Sequence, residues 1–345
     1  FILFTIFWVI IWNSSVAQSC IPSVIVFTTQ AQIDNFPTDY PGCTIIDGNV
    51  GLYGSDITNV DGLNQVVKIG GSLQFTSTLN SGNTAGLNNL TEIGGTFSVN
   101  SSITNGSLSL PSLIKIGGSL MINNSGPTEM VFTNLDSIKG NISISDSYGP
   151  TNIDFNSLSY VSGSISLIYL YDLNLFPQLD TIHGSLTFQH SHSNNISGFS
   201  NLKIIEGSLN VISNNNVVDI TGFQNIDSIG YLEINNNSLL QNITGFSGIN
   251  KITAINVAGN PFLSDITGLN HPIIIPGQII ITNNIFLSAC DIEPICSRIW
   301  LNNPNINVSN NGPGCNTISE IQQNCPVPPD TDGDGVYDIN DNCIN

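Results

Sequence analysis

A glycine followed by a short segment of alternating apolar residues recurs about every 23 residues along most of this chain. The last interval is twice as long as the others, because one glycine is missing near Thr253. A repeat this short predicts a solenoid of about eleven coils, each burying its apolar face against its neighbours. The repeated glycines are Gly48, Gly71, Gly95, Gly118, Gly140, Gly163, Gly184, Gly207, Gly230 and Gly277.

Each glycine precedes apolar residues spaced by two, such as Leu73 with Phe75 and Leu120 with Ile122. This alternation predicts a half-buried strand. A glycine at the start of every strand indicates a tight bend, or a backbone too close to its neighbour for a Cβ atom. Asparagines follow many strands, as at 214–216 and 235–237, and a stacked column of them could turn each coil. We therefore expect parallel stacked strands, turns and irregular backbone, without a long helix inside any coil.

A second apolar segment precedes many of the glycines by about ten residues, for example Ile243-Thr244-Gly245-Phe246. The combined pattern is I-x-G-S-L-x-I-x-x-N, with D/N-I-T-G-F/L between the strands. Over about residues 44 to 290 it resembles the receptor L-domain type of leucine-rich-repeat solenoid. The resemblance implies an all-β, right-handed parallel β-solenoid that serves in extracellular recognition or adhesion. It brings no catalytic residue with it.

Residues 1–17 have the composition of a signal peptide. An apolar run over 1–12 is followed by Ser15, Val16 and Ala17, which predict cleavage before Gln18. The start of the gene product is expected to be missing, since no initiator methionine or basic segment precedes the run. The run is too short to span a bilayer comfortably, so we expect no transmembrane anchor in this fragment. A membrane anchor and a lipoprotein modified at Cys20 are the alternatives, although the residues before Cys20 fit a lipobox poorly.

The C-terminus carries alternating aspartates within residues 330–343. Carboxylates at every second position of a tight loop can converge on one hard cation, and Gly335 would allow the turn. The spacing D-x-D-x-D-G-x-x-D-x-x-D-N-C resembles a thrombospondin type 3 repeat, which implies bound Ca²⁺. A solvated acidic linker is the alternative. By this resemblance the calcium ligands are Asp330, Asp332, Asp334, Asp338 and Asp341.

Cysteines mark both ends of the predicted solenoid. Cys20 and Cys43 would staple an N-terminal cap, and four more would close a C-terminal cap by two disulfides. Three pairings of those four are open, and a zinc site is disfavoured because the spacings are not C-x-x-C. In the type 3 pattern, Cys343 would pair with a cysteine of a following repeat. The four cysteines are Cys290, Cys296, Cys315 and Cys325.

These features divide the chain into five parts. Residues 1–17 form the signal peptide, and 18–47 the N-terminal cap. The solenoid repeats occupy 48–289. A disulfide-rich helical cap occupies 290–325, with short helices expected at 291–300 and from the capping-box residue Thr317 to about Asn324. Residues 326–345 form a truncated calcium-binding linker. The cap resembles segments that follow such coils in secreted bacterial surface proteins, so we expect a secreted or cell-surface location, on the outer surface of a bacterium.

The charge balance excludes some partners. The chain has six Lys and Arg residues and 25 Asp and Glu residues, which give a formal net charge of −19. Phosphate binding requires clustered basic residues, so nucleic acid is not expected as a partner. Charged residues make up only 9% of the chain. We therefore expect a surface that forms hydrogen bonds rather than ion pairs. The ligand expected for an extracellular recognition protein is another extracellular protein or a glycan.

The alternative function is a secreted, carbohydrate-active β-solenoid enzyme. A lyase acting on uronic acids needs a strong base and a cation, yet Arg298 is the sole arginine and lies in the predicted cap. A hydrolase needs paired carboxylates, and nothing in the sequence pairs the candidates. We therefore expect no enzymatic activity. The candidate carboxylates are Asp154, Asp172, Asp180 and Asp219.

Histidines and aromatic residues are further candidates for a site. His190 and His192 would share one face of a strand, with His183 in the same coil. Whether the three bind a metal or are ordinary surface residues is open at this point. Aromatic rings clustered with carboxylates in one groove would favour the enzyme. The candidate aromatic residues are Tyr53, Tyr160, Tyr169, Tyr171 and Phe176.

Overall fold

The computed structural model describes residues 18–328, except positions 80, 81, 83, 104, 105, 146–151, 172–174, 272, 274 and 302–304. Within these residues the chain is a parallel β-solenoid with few helices. The predicted signal peptide at 1–17, the candidate Asp172, and the predicted calcium ligands Asp330, Asp332, Asp334, Asp338 and Asp341 lie outside the described residues, as does Cys343.

The solenoid is built on a long ladder of thirteen parallel strands, counted over the described residues. Eleven of them occur where the glycine period predicts a strand, including the position near Thr253 that lacks the glycine. One further strand lies at each end, within the segments expected to be caps. The thirteen strands are Ile25–Phe27, Val50–Leu52, Leu73–Thr76, Phe97–Asn100, Leu120–Asn123, Ile142–Ser145, Ile165–Ile168, Leu186–Gln189, Ile204–Ile212, Ser228–Asn235, Lys251–Ala258, Ile279–Thr282 and Ile306–Ser309.

A short ladder runs beside the long one and is formed by the residues just before each anchor glycine. In three consecutive coils, from Ile204 to Ala258, one continuous strand serves both ladders. The separate strands of the short ladder are Ser19–Ile21, Ile45–Ile46, Lys68–Ile69, Glu92–Ile93, Lys115–Ile116, Ser137–Ile138, Tyr160–Val161 and Thr181–Ile182.

The remaining elements lie where the coil returns toward the next rung. Two three-stranded parallel sheets and three 3₁₀ helices occupy this side within the described part of the chain. The second apolar segment of the repeat contributes to several of them, including Asp61–Leu63, Asn242–Ile243 and Thr267–Leu269. The strands are Ser107–Ser109, Glu129–Val131, Asn152–Asp154, Asn195–Ile196, Asp219–Ile220 and Asn242–Ile243, and the 3₁₀ helices are Asp61–Leu63, Ala85–Leu87 and Thr267–Leu269.

The anchor glycines are required by close approach of successive coils. A Cβ atom added to Gly118 would lie 2.8 Å from the carbonyl carbon of Gly95 and from the backbone nitrogen of Thr96. Real Cβ atoms do not approach backbone atoms this closely, so a side chain would push the two coils apart. The prediction of a backbone too close for a Cβ is confirmed.

Stacked phenylalanines fill the core of the central coils. Adjacent rings have their centroids 5.3 to 5.9 Å apart, and all are fully buried. Each coil thus contributes one ring to a continuous column. Phe176 belongs to this column, so the expectation that it could serve as an exposed aromatic residue is wrong. The column consists of Phe132, Phe155, Phe176, Phe199, Phe223 and Phe246.

A column of buried asparagines closes the turn after the long ladder. The Oδ1 atom of Asn237 accepts from the backbone N–H of Asn214 at 2.9 Å, and its Nδ2 donates to the Val211 carbonyl at 2.9 Å. Asn260 and Asn284 repeat this pattern in the next coils. The predicted asparagine column is therefore confirmed. In earlier coils the same position is taken by shorter hydroxyl side chains, namely Thr78, Ser102, Ser125 and Ser191.

The N-terminal coil contains a helix that the repeat pattern did not predict, Gln30–Asp39. The side chain of Gln32 accepts from the backbone N–H of Thr29 at 3.2 Å, which caps the first turn. Ile33 and Phe36 on this helix are fully buried, so the helix closes the first end of the core. A disulfide between Cys20 and Cys43, with Cα atoms 5.4 Å apart, joins the same coil.

The C-terminal cap contains helices Glu293–Trp300 and Ile318–Asn324, as expected. The Thr317 hydroxyl accepts from the backbone N–H of Glu320 at 3.2 Å. The structure pairs Cys290 with Cys315 and Cys296 with Cys325, with Cα atoms 5.3 and 5.5 Å apart.

Arg298 ties this cap to the last coils. It is 5% exposed, and its Nη1 donates to the carbonyls of Ile275 and Gly277. Burial lowers the pKa of its guanidinium. Arg298 is therefore a structural residue that joins the cap to the solenoid.

Candidate ligand-binding face

Every second side chain of the long ladder points away from the core and forms an outward face. This face has two main columns, the first with one residue from each rung and the second with one residue from each rung after the first. Over the described rungs Glu233 is the single ionisable acid, and Lys and Arg do not occur. The two columns are Val26, Gly51, Gln74, Ser98, Met121, Ser143, Ser166, Thr187, Asn210, Glu233, Asn256, Ile280, Asn307, and Tyr53, Thr76, Asn100, Asn123, Ser145, Ile168, Gln189, Ile212, Asn235, Ala258, Thr282, Ser309.

The polar groups of this face are held by hydrogen bonds along and across the strands. Asn123 Nδ2 donates to Asn100 Oδ1 at 3.2 Å, and Asn210 Nδ2 donates to Thr187 Oγ1 at 3.0 Å. Asn235 Nδ2 donates to Glu233 Oε1 at 2.7 Å. Side chains fixed in this way lose little freedom when a ligand binds. The face is therefore an ordered array of hydroxyl and amide groups.

The size of the face suits an extended ligand. Thirteen rungs spaced by about 4.8 Å make a surface roughly 58 Å long.

Beside the columns lies Tyr231, which is half-buried. Burial raises the pKa of its phenol, an effect that the hydrogen bond from the Asn256 side chain partly offsets. The phenol is thus neutral at physiological pH, and the surface retains its weakly charged character.

The candidate tyrosines do not gather in one groove. Tyr53 lies on the outward face near its N-terminal end. Tyr160 lies in the short ladder, with its ring 5.6 Å from that of His183. Tyr169 and Tyr171 lie in the turn after the strand Ile165–Ile168. The aromatic groove that would have favoured an enzyme is not formed by these residues.

The candidate histidines lie in turns and on the surface, and the strand geometry considered for them is wrong. His190 has a left-handed backbone (φ 52°) and stacks on Tyr169 with the ring centroids 5.0 Å apart. His192 stacks on Tyr171 at 4.5 Å. His183 instead places its Nδ1 3.2 Å from a carboxylate oxygen of Glu206. The tyrosine and histidine rings of neighbouring coils thus pack against one another.

Within the described part of the chain, the side chains that could bind a metal ion are dispersed. No group of three or more His, Cys, Asp or Glu side chains is arranged there to hold a metal ion. Asp154 accepts from the Thr133 hydroxyl, and Asp219 from the Asn242 amide. These two carboxylates belong to different side sheets.

Over the described residues, no helix has both the length and the apolar character needed to cross a bilayer.

Comparison with known proteins supports the fold over part of the chain. Residues 151–238 match the family described as Receptor L domain. The match covers about a quarter of the chain and lies inside the range where the repeat pattern resembled this family. No curated protein and no solved structure matches the chain. The Receptor L domain match, the solenoid and the three disulfides together indicate a receptor-like recognition protein of the secreted or cell-surface class.

Proposed function

We propose that this protein is a non-catalytic extracellular recognition or adhesion module that binds a protein or glycan on the outward face of the long ladder. The observation that carries this proposal is the face itself. It is continuous, ordered and almost free of charge in a chain whose net charge is −19. Recognition sites that rely on hydrogen bonds need fixed donors and acceptors. The outward face supplies both on rigid strands.

The test is a ligand screen followed by substitutions on the face. The protein is screened against an array of neutral and acidic glycans and against purified secreted proteins. Gln74→Arg, Ser166→Arg and Asn256→Arg then place one large cation near the start, the middle and the end of the face. We expect at least one of them to weaken binding tenfold or more, which corresponds to about 1.4 kcal/mol.

The matched control is Gln224→Arg, which adds the same side chain at an exposed position outside the face. We expect it to change affinity less than twofold. The proposal fails if the array and the proteins give no ligand, if Gln224→Arg alone weakens binding, or if the protein degrades a polysaccharide in the screen. The last result would support the carbohydrate-active enzyme instead.

We further propose that the tail from residue 326 is a calcium-binding stalk on the surface of a bacterium. Support comes from the sequence pattern of Asp330, Asp332, Asp334, Asp338 and Asp341 and from its resemblance to a thrombospondin type 3 repeat. Carboxylate oxygens at this spacing are suitable ligands for Ca²⁺. The solenoid would then be displayed at the end of a stiffened linker.

Calorimetry with Ca²⁺ tests the stalk. Titration of residues 18–345 is expected to release or absorb heat that saturates, and titration of residues 18–325 is expected to give only heats of dilution. Asp332→Asn combined with Asp334→Asn should remove the signal, since it deletes two charges while keeping the side-chain size. Equal heats from the long and short proteins would contradict calcium binding by the tail.

A further inference from the structure

The outward face contains a pocket at its N-terminal end, over the first three rungs. Its volume is about 180 Å³, and Gly51 is one of its lining residues. Val26 and Gln74 flank this glycine on the neighbouring rungs. The outward residues before and after it on its own strand are Asn49 and Tyr53. The full lining is Val24, Val26, Asn49, Val50, Gly51, Tyr53, Ser72 and Gln74.

The pocket lies where Gly51 has no side chain, whereas the residue at the same position of every other described rung has one. A Cβ atom at Gly51 would lie 2.4 Å from a ring carbon of Tyr53. The Tyr53 ring therefore leans across Gly51. It partly encloses the space beside this glycine. The three atoms nearest to such a Cβ all belong to the Tyr53 side chain, so a larger residue at position 51 would first displace this ring.

The polar wall of the pocket is held in place before any ligand arrives. Tyr53 Oη donates to Gln74 Oε1 at 2.8 Å, and Gln74 Nε2 donates to Thr76 Oγ1 at 3.2 Å. Asn49 Oδ1 accepts from the backbone N–H of Ser72 at 2.7 Å. The amides thus have fixed orientations, while Asn49 Nδ2 and the phenolic oxygen can still bond a ligand.

The opposite wall is apolar and open to solvent. Val24 is 58% exposed and Val26 is 43% exposed, and together with the Tyr53 ring they form a surface that gains free energy when it is covered. A ligand that fits must therefore present an apolar face on one side and hydrogen-bonding groups on the other. The pocket lining contains no charged side chain, so it offers no counter-charge to an ionic ligand.

We infer that the Gly51 pocket is a binding subsite for one neutral sugar residue of a glycan, an inference that rests on the recognition function proposed above. A pyranose ring has C–H groups on its faces for Val26 and Tyr53, and hydroxyls at its rim for Asn49 and Gln74. An aliphatic peptide side chain would bury those amides without replacing their hydrogen bonds with water, which is unfavourable. A uronic or sialic acid would bring a negative charge to a pocket without a cation, on a chain of net charge −19.

The inference is tested with the folded protein of residues 18–345 on an array of neutral oligosaccharides, uronic-acid and sialylated glycans, and short apolar peptides. Titration calorimetry then measures the affinity of the best neutral oligosaccharide. Gly51→Val fills the pocket, and Gln74→Leu removes its main amide while keeping the side-chain size. Ser143→Val makes a similar change in the same column three rungs beyond Gln74 and serves as the control.

We expect binding to neutral glycans, a tenfold or greater loss of affinity in Gly51→Val and in Gln74→Leu, and less than a twofold change in Ser143→Val. Circular dichroism checks that each variant is folded, and Gln74→Leu keeps the test valid if Gly51→Val is not. Binding only to acidic glycans or peptides, or neutral-glycan binding that survives both pocket variants, overturns the inference. In those cases the recognition function still stands, whereas a protein that binds nothing on the array or in the protein screen overturns both.

Discussion

Replacing Phe199 by alanine is expected to lower the free energy of unfolding by about 3–5 kcal/mol, the usual cost of deleting a buried phenyl ring. Phe199 is fully buried. Its ring lies 5.9 Å from that of Phe176, 5.5 Å from that of Phe188 and 5.4 Å from that of Phe223. The loss should be at the upper end of the range, because stacked coils on both sides hold the cavity open.

Chemical denaturation followed by circular dichroism measures this effect. Phe262→Ala is the matched control, because Phe262 is 49% exposed and stacks on Phe286 with the ring centroids 5.6 Å apart. We expect the control to lose less than about 1 kcal/mol. Since each coil contacts only its neighbours, Phe199→Ala should also separate unfolding into two transitions. A loss in Phe199→Ala no larger than in Phe262→Ala would contradict the phenylalanine column.

Replacing Asn237 by alanine is the second large effect that we expect, roughly 3 kcal/mol or more. The change leaves the backbone N–H of Asn214 and the carbonyl of Val211 without their partner inside the turn. Each buried group that loses its hydrogen bond costs about 1–3 kcal/mol. The bond between Asn237 Nδ2 and Asn260 Oδ1, of 3.1 Å, is lost as well.

Two further variants separate this hydrogen-bonding role from a general effect of asparagine. Asn216→Ala removes an exposed asparagine one coil earlier and should cost less than about 0.5 kcal/mol. Asn237→Ser should recover part of the loss, since Ser102 and Ser125 fill the same position in earlier coils. Unfolding curves in urea give all three values. An Asn237→Ala protein as stable as Asn216→Ala would show that the column is not needed.

The regular part of the fold could be predicted because one physical constraint repeats in every coil. A glycine allows successive backbones to approach closely, as at Gly118, and its spacing located all eleven internal strands of the long ladder. The loss of the glycine near Thr253 did not hide its coil. There Ala254 lies inside one continuous strand, Lys251–Ala258, that serves both ladders.

The ends of the solenoid were harder to predict, because each end element occurs once and has no repeat to reveal it. The helix Gln30–Asp39 begins with Thr29 and Gln32, a capping signal that could have indicated it. The strand Ile306–Ser309 lies between two cap helices and lacks the anchor glycine. The disulfide pairings in the cap depend on this three-dimensional arrangement, and spacing alone left three of them open.

The candidate site was hidden for a related reason. In the sequence, Gly51 is one more glycine next to an anchor, and Val26 lies 25 positions before it. Only the register of three parallel strands places Val26, Gly51 and Gln74 side by side. Tyr53 and Phe176 were both aromatic candidates, and residue type alone could not distinguish the exposed ring of Tyr53 from the buried ring of Phe176. Whether a ring faces solvent depends on its position in the coil.

Hydroxyl-radical footprinting with a bound ligand from the screen tests whether the outward face is the binding surface. Tyr53 and Met121 are exposed on the outward face, while Phe262 and Phe286 are exposed in turns outside it, and all four react with the radical. We expect the ligand to slow oxidation of Tyr53, Met121 or both, and to leave oxidation of Phe262 and Phe286 unchanged. Protection of the two phenylalanines, with Tyr53 and Met121 oxidised at their free rates, would contradict recognition by the outward face.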